Sequence, residues 1–191
     1  LRYGENPHQK GAFFGDTATL PKQLHGKEIS YNNMLDIEAA LELISDFNST
    51  TVAVIKHNNA CGCATAATVK EAWEKALAAD PVSAFGGIII SNREITEDAA
   101  AEINKIFFEV IIAPSYSNEA LEILKCKKNR IILVSAGVRC SGKKFRSMLG
   151  GILVQERDTV VETLEITVNA ENYKTLLALL LCRHKLGHVY T

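Results

Sequence analysis

The hydrophobic pattern of the chain changes period repeatedly between residues 37 and 134, and this alternation predicts the fold. Apolar residues recur at helical spacing in residues 37–47, 68–77, 96–107 and 117–124. Short apolar runs typical of buried strands occur at residues 51–55, 88–90, 110–113 and 130–134. Strands that alternate with helices favour an α/β fold, with a mostly parallel sheet covered by helices on both faces. An antiparallel α+β meander is the alternative.

Capping residues indicate where two of these helices begin. Thr68 followed by Glu71 is typical of a capping box, and Ser117 begins a short helix in the same way. The buried side of the third helix is expected to carry Ile103, Ile106 and Phe107. Outside this block the pattern predicts edge strands at residues 11–14 and 151–155, a polar and basic connection at 135–147, and a helix over 171–185.

Composition excludes several classes of protein. The 191 residues carry 21 basic and 22 acidic side chains, so a nucleic-acid binder driven by overall basicity is excluded. No apolar run reaches the roughly 18 residues of a membrane span. An odd number of cysteines, five, without a signal peptide indicates reduced thiols in a soluble, cytoplasmic protein. Because the chain begins with Leu1, we expect a processed or excised piece of a longer protein.

Lys56 and His57 directly follow the first predicted strand, in what the pattern predicts to be a loop rich in small residues. Sites in open parallel sheets form beyond the carboxyl ends of the strands, so this loop is the first candidate. His57 can act as a base near neutral pH, and Lys56 can stabilise a developing oxyanion. The helix that begins near Thr68 would add its amino-terminal dipole. A surface loop with an incidental lysine–histidine pair is the alternative.

Two further segments carry candidate chemistry, and metal sites are not expected. Arg2 offers a rigid fork for phosphate and Tyr3 a flat face for a heterocycle, although a frayed terminus is the alternative. The turn at residues 80–87 ends in two glycines, which permit close backbone contact or simply a turn. Cys61 and Cys63 lack zinc spacing, and no Walker, dinucleotide-binding or zinc-deaminase motif is present.

Six ordered segments together are similar to one family. They are residues 1–9, 25–33, 56–62, 80–87, 108–114 and 145–151. In this order they resemble the transformylase part of the AICAR transformylase/IMP cyclohydrolase family, over residues 1 to about 158. The resemblance implies a three-layer α/β/α, cytidine-deaminase-like fold, a homodimer with shared active sites, and no need for a metal. It also implies formyl transfer from 10-formyltetrahydrofolate to the 5-amino group of AICAR in purine (IMP) biosynthesis.

The resemblance also implies roles for individual residues. His57 corresponds to the family's proton acceptor and Lys56 to its transition-state stabiliser. The residues that it assigns to substrate binding are Arg2, Tyr3, Gly86, Glu109, Asn33 and His8. One departure lies next to the catalytic pair, where residues 58–61 read Asn-Asn-Ala-Cys and the family has Thr-Asn-Pro-Cys.

The resemblance divides the chain into two parts. Residues 1–160 correspond to the first deaminase-like half of the transformylase domain, and residues 161–191 form a helical tail that diverges from the family, ending in an unassigned histidine-containing stretch. The second half and the cyclohydrolase domain, which is the family's hydrolase, are expected to be absent. Two functions therefore remain: an enzyme half-site that binds AICAR, or a folded but catalytically incompetent module that only binds nucleotide or a partner subunit.

Overall fold

The computed structural model describes residues 1–135 and 142–157, which belong to two separate units. The first unit contains the strands β1 (Lys22–His25), β2 (Thr51–Lys56), β3 (Asn59–Thr65), β4 (Ile88–Ser91), β5 (Val110–Ala113) and β6 (Ile131–Val134). Its helices are α1 (Tyr31–Ile44), α2 (Val69–Ala79), α3 (Glu97–Ile103) and α4 (Asn118–Lys125). The second unit contains β7 (Lys143–Met148) and β8 (Gly151–Glu156). No described helix is long and apolar enough to cross a bilayer.

The first unit is built on a six-stranded sheet in the order β1-β6-β5-β4-β2-β3. Strands β4, β5 and β6 are parallel to one another, whereas β2 is antiparallel to both β4 and β3, and β1 is antiparallel to β6. Four strands, β3 to β6, therefore run in one direction and two run against them. The prediction of an α/β fold is confirmed, but the expected parallel crossover from the first strand to the next is wrong.

A tight hairpin replaces the predicted loop after the first strand. Lys56 pairs with Asn59, so only His57 and Asn58 lie between β2 and β3. Both have positive φ, 53° and 61°, which is the conformation of a type I′ turn. Asn and His tolerate this region better than most residues do. The strand β3 was not predicted because its residues are small or polar. It also lies at the outer edge of the sheet, where no apolar run is needed.

Helix α2 lies directly against β3, and a glycine makes this approach possible. A Cβ built on Gly62 would lie 2.0 Å from the carbonyl oxygen of Ala76 in α2. The ladder also contains a bulge here, because Val54 pairs with Gly62 while Ile55 pairs with Ala60. Cys61 is therefore the extra residue, as expected where a strand must bend under a close neighbour.

The core lies on both faces of the sheet. On one face Trp73, Ile103 and Leu124, from α2, α3 and α4, pack in one cluster with Ile89 and other strand residues. Helix α1 contacts β2 and β4 but contributes nothing to that cluster, so it covers the opposite face. Full burial of each such aliphatic or aromatic side chain contributes about 1.5–3 kcal/mol.

The helix starts agree with the capping residues. The side-chain oxygens of Thr68 and Ser117 accept hydrogen bonds from the backbone N–H groups of Glu71 and Ala120, at the starts of α2 and α4. One expectation for α3 is wrong: Phe107 is 52% exposed, while its neighbour Phe108 is buried instead. The chain after α3 is no longer helical at this point, so helical spacing no longer decides which side chain faces inward.

The expectations outside the central block have different outcomes. Residues 11–14 form no strand, and the edge position is taken by β1, whose pairing with β6 shifts register between Gln23 and His25. The predicted connection 135–147 contains β7, which pairs with β8; β8 confirms the strand predicted at 151–155. Residues 136–141 and the predicted helix at 171–185 lie outside the described residues.

The second unit, as described, is a two-stranded hairpin. Leu149 and Gly150 connect its strands with positive φ values of 49° and 77°, so this turn repeats the left-handed geometry of the first hairpin. Five apolar side chains of these two strands are more than half exposed: Phe145, Met148, Ile152, Leu153 and Val154. An isolated hairpin of this kind is marginally stable in water.

Candidate active site

The candidate residues converge on one edge of the six-stranded sheet. Ile55 pairs with Ile88, Ile88 with Val110, and Val110 with Ile131, so these ends are level across the sheet. This edge is the row of strand ends, not an outer strand. The strand β2 ends here, whereas β4, β5 and β6 begin here. The expectation that the site lies beyond the carboxyl ends of parallel strands is therefore wrong for those three strands, because β2 runs against them.

The turn between β2 and β3 places Lys56 and His57 at this edge. His57 is exposed at the tip, and its left-handed backbone is held by the turn's second residue. The N–H of Asn58 donates a 2.7 Å hydrogen bond to Oδ1 of Asp36 in α1. Asn59 adds a 3.2 Å hydrogen bond from Nδ2 to the carbonyl oxygen of His57. Hydrogen bonds to the backbone of both His57 and Asn58 thus fix the strained turn.

Lys56 connects the hairpin to the glycine-containing turn before β4. Its Nζ donates to the carbonyl oxygen of Phe85 at 2.9 Å, next to Gly86. An ammonium has three donors, so two remain for a ligand. The N–H of Gly86 donates to the carbonyl oxygen of Phe107 at 2.9 Å, which leaves only its carbonyl oxygen for a ligand. With φ of 76°, this position suits glycine.

Asp80 closes the other end of the same turn. Its Oδ1 accepts a 2.9 Å hydrogen bond from the N–H of Ser83. Hydrogen bonding from Ser83 lowers the pKa of this exposed carboxyl, so it stays a carboxylate at neutral pH. The turn therefore keeps a fixed shape beside Lys56.

Glu109 forms a polar cluster at the start of β5. Its Oε2 accepts from Nζ of Lys27 at 3.0 Å and from Nδ2 of Asn33 at 3.4 Å. Its other carboxylate oxygen has no protein partner among the described residues and can accept a hydroxyl from a ligand. Asn33 lies in the first turn of α1, where it also completes the capping box with Ser30.

Sequence analysis missed Lys27 and Asp36. Lys27 lies inside one of the segments that carry the family resemblance, but only the fold shows its contact with Glu109. Asp36 follows Asn33 by three residues, so both lie on one face of α1 and could have been paired by helical spacing. Helix α1 thus holds both Glu109 and the turn, through successive turns of one helix.

Helix α2 does not contribute its dipole to this site. Thr68 follows the end of β3 at Thr65, which pairs with Thr51 at the opposite edge of the sheet. The expectation that the helix beginning near Thr68 faces the Lys56–His57 turn is therefore wrong. The helix whose amino terminus lies at the site edge is α1, since its first turn contacts Glu109.

The amino-terminal segment is fixed to the start of α1, so the alternative of a frayed terminus does not hold. The N–H of Arg2 donates to the carbonyl oxygen of Ile29 at 3.0 Å, and the carbonyl oxygen of Tyr3 accepts from Tyr31 at 3.1 Å. The Arg2 guanidinium lies 5.5 Å from the centre of the Tyr3 ring. His8 is exposed and forms no hydrogen bond or ion pair within residues 1–135, so the structure does not join it to the others.

Three of the five cysteines lie in the described residues. Cys61, Cys63 and Cys126 are in no disulfide bond; Cys140 and Cys182 lie outside the described residues. Burial raises the pKa of the Cys61 thiol, and the Asp80 carboxylate adds to this, so Cys61 is not an activated nucleophile. Within residues 1–135 and 142–157, no group of three histidine, cysteine or carboxylate side chains is placed to hold a metal ion.

The described residues thus form a mixed α/β domain that presents a lysine, a histidine and the polar cluster around Glu109 at one sheet edge, groups suited to binding a small molecule and to acid–base chemistry on it. The comparison with protein families makes this specific. The family described as AICARFT/IMPCHase bienzyme matches residues 1–189, and the chain belongs to this family.

Curated relatives of the chain share one name, bifunctional purine biosynthesis protein PurH. The chain is 61% identical over 163 residues to the bifunctional purine biosynthesis protein PurH of Bacteroides thetaiotaomicron, a match that covers 85% of this chain and 32% of that protein. It is 47% identical over 200 residues to PurH of Rhodospirillum rubrum, covering 96% of this chain and 38% of that protein. The chain therefore spans about a third of the length of the curated relatives it matches. The deaminase-like fold and the division at residue 160 stay predictions.

Proposed function

We propose that this chain supplies the nucleotide-binding and proton-accepting part of an AICAR transformylase site. Membership of the family supports the reaction: transfer of a formyl group from 10-formyltetrahydrofolate to the 5-amino group of AICAR, in purine biosynthesis. The observation that carries the proposal is the two-residue turn, which places the His57 imidazole at an exposed tip directly after Lys56.

The chemistry suits these two groups. The 5-amino nitrogen of AICAR attacks the formyl carbon, and His57 accepts the proton that this nitrogen loses. Negative charge develops on the formyl oxygen, where the Lys56 ammonium stabilises it. The tetrahedral intermediate then collapses, the bond from carbon to N10 of the folate breaks, and protonated His57 returns the proton to N10. Formyl-AICAR and tetrahydrofolate are released, and no metal is needed.

Substrate binding is proposed for the surrounding groups. The uncommitted oxygen of Glu109 accepts a ribose hydroxyl, and the carbonyl oxygen of Gly86 contacts the base or ribose. Arg2 binds the nucleotide phosphate and Tyr3 packs on the heterocycle. Asn33 orients Glu109 from α1, while His8 lines the outer part of the pocket.

The cosubstrate, assembly and location are part of the same proposal. 10-Formyltetrahydrofolate is the formyl donor, the complete protein is a cytoplasmic homodimer, and nucleic acid and membranes are not partners. Because the chain spans about a third of its relatives, we expect it to bind AICAR by itself and to show little or no formyl transfer. The second candidate is a module that only binds nucleotide or a partner subunit.

The experiment separates the two candidates. AICAR is titrated calorimetrically into the 191-residue chain, and formyl transfer is then measured in a chimera in which this chain replaces the matching segment of the Bacteroides protein. The half-site predicts AICAR binding by the chain and turnover by the chimera. The chimera with His57→Ala should lose turnover and keep its AICAR affinity.

Glu28→Gln, on the exposed loop before α1, is the matched control and should change neither quantity. Unchanged turnover in His57→Ala would remove the assigned role of His57. Binding by the chain together with an inactive chimera would favour the binding-only module.

A further inference from the structure

A cavity of about 530 Å³ opens at the same sheet edge; Glu109 lines it, whereas Lys56 and His57 do not. One wall consists of the segment 104–109 after α3, and the other of the segment 126–130 between α4 and β6. Small-molecule pockets in proteins span about 300–1,000 Å³, so this volume suits an organic ligand.

The lining of the cavity is strongly cationic. It contains five basic side chains against one carboxylate: Lys27, Lys105, Lys127, Lys128 and Arg130 against Glu109. Lys27 is neutralised by Glu109 at 3.0 Å, and Lys105 pairs with Glu102 at 2.6 Å. Neither Lys127 nor Lys128 takes part in an ion pair within the described residues. Three cations therefore face the cavity without a counter-charge from the described protein.

Arg130 is the most unusual of these groups because it is 96% buried, with a relative exposure of only 4%. Its Nη1 donates to Oδ1 of Asn104 at 2.8 Å and to the carbonyl oxygen of Leu124 at 3.0 Å, and the guanidinium lies 4.1 Å from the Phe108 ring centre. Its Nε has no hydrogen-bond partner among the residues that the structure describes. Burial lowers the pKa of this guanidinium, which nevertheless stays charged at neutral pH. A buried charge without an opposite charge is costly and favours an anion nearby.

The cations could instead serve only to complement helix dipoles, since α3 and α4 both end at this cavity. Each helix carboxyl terminus carries about half a negative charge, so two termini offset about one of the cations. Arg130 already satisfies this role for α4 through Leu124. Lys127 and Lys128 remain in excess of it.

We propose that this cavity is a second ligand site, which binds the phosphate or carboxylate groups of a small organic anion. Arg130 and Asn104 form its floor, and Lys127 and Lys128 bind the anion at the mouth. The Lys56–His57 turn takes no part in this cavity, but Glu109 belongs both to its lining and to the proposed nucleotide site, so the test includes competition by AICAR.

The test uses the full chain and two probe anions. Pyrophosphate and citrate are titrated calorimetrically into the protein at fixed ionic strength, with and without saturating AICAR. We expect at least one probe to bind with 1:1 stoichiometry and to remain bound when AICAR is present. Tighter binding of pyrophosphate would indicate a phosphorylated ligand, and tighter binding of citrate a polycarboxylate.

Variants locate the binding. The exposed double variant Lys127→Gln/Lys128→Gln should weaken binding about tenfold or more, the effect of losing charge-assisted hydrogen bonds. Lys75→Gln, an exposed lysine on α2 far along the sequence, removes the same kind of charge elsewhere and should not change it. Bound anion should also slow alkylation of Cys126, which lines the cavity, relative to Cys61.

Three outcomes would overturn the proposal. They are the absence of binding by both probes, equal weakening by Lys75→Gln, and displacement of the probe by AICAR, which would merge the cavity with the nucleotide site. Because the lysine variants lie on the surface, they remain informative even if a variant of Arg130 fails to fold.

Discussion

The centre of the sheet and the turn at its edge contrast in almost every physical respect. All four residues of β5 are apolar and buried, and they take ordinary strand geometry. His57 and Asn58 are polar, exposed and left-handed. The contrast teaches that stability and candidate chemistry rest on different residues of one sheet, so each can be altered separately. Four substitutions test this separation of stability from candidate chemistry.

Ile111→Ala should have the largest effect on stability. The side chain is fully buried at the centre of β5, and truncation leaves a cavity, so the free energy of unfolding should fall by about 2–5 kcal/mol. Urea denaturation measures the change. Val82→Ala, at a position 82% exposed, should stay within about 0.5 kcal/mol of the parent. Equal effects of the two substitutions would contradict the assignment of β5 to the core.

Gly62→Ala should come next. The added Cβ would lie 2.0 Å from the carbonyl oxygen of Ala76, so α2 must shift, at a cost of about 1–3 kcal/mol. Gly142→Ala is the control, since its Cβ would meet nothing within 4 Å, and its melting temperature should be unchanged. A neutral Gly62→Ala would mean that α2 does not press on β3 as closely as described.

Tyr116→Phe should cost about 1 kcal/mol at neutral pH. The buried Tyr116 hydroxyl lies 2.8 Å from the carbonyl oxygen of Leu133 and 3.1 Å from that of Ile111, to which it donates. Burial raises the pKa of Tyr116 above its unfolded value. The stabilisation is therefore complete below the unfolded pKa of about 10 and is lost as the pH rises above it.

The variant lacks this ionisable group, so its stability should fall less than that of the parent between about pH 8 and about pH 11. Denaturant unfolding of both proteins across this range isolates the contribution of Tyr116 from that of other alkaline groups. Parallel losses in the two proteins would show that the hydroxyl is not protected from ionisation.

Substitutions of His57 should have the smallest effect on stability, and the glycine variant should be more stable than the alanine variant. His57→Gly removes the left-handed penalty and should be about 1 kcal/mol more stable than His57→Ala, which keeps a Cβ at φ of 53°. Thermal denaturation compares the two, while both should leave AICAR affinity unchanged. If alanine proved as stable as glycine, the turn would not hold this backbone in the strained region.

The same contrast explains what could be predicted from the sequence. The buried strands β4, β5 and β6 were predicted within about one residue, because only a fully buried strand requires such short apolar runs between helices. Thr68 and Ser117 marked helix starts because capping is local. The strands β1 and β3 were missed, since both lie at the outer edges of the sheet, where a strand needs no apolar run: β1 is short and polar, and β3 consists of small and polar residues.

The candidate site was predicted only in part. Lys56, His57, Gly86 and Glu109 were found from their segments, and the fold places them at one edge. Their position at the amino ends of three strands could not be predicted, because it depends on the antiparallel pairing of β2 with β4. The contacts of Lys27 with Glu109 and of Asp36 with Asn58 span 82 and 22 residues of chain, so only the fold reveals them, although helical spacing already relates Asp36 to Asn33.

The unpaired residue at Cys61 gives the hairpin two different phases along its length. Toward the tip, Ile55 faces Ala60, and toward the base, Val54 faces Gly62. Deleting this one residue would leave Ala60 opposite Ile55 and Gly62 opposite Val54, so the ladder would become regular and the bend between its two parts would be lost. The bulge at Cys61 thus allows the exposed turn and the closely packed base of one hairpin to keep separate alignments.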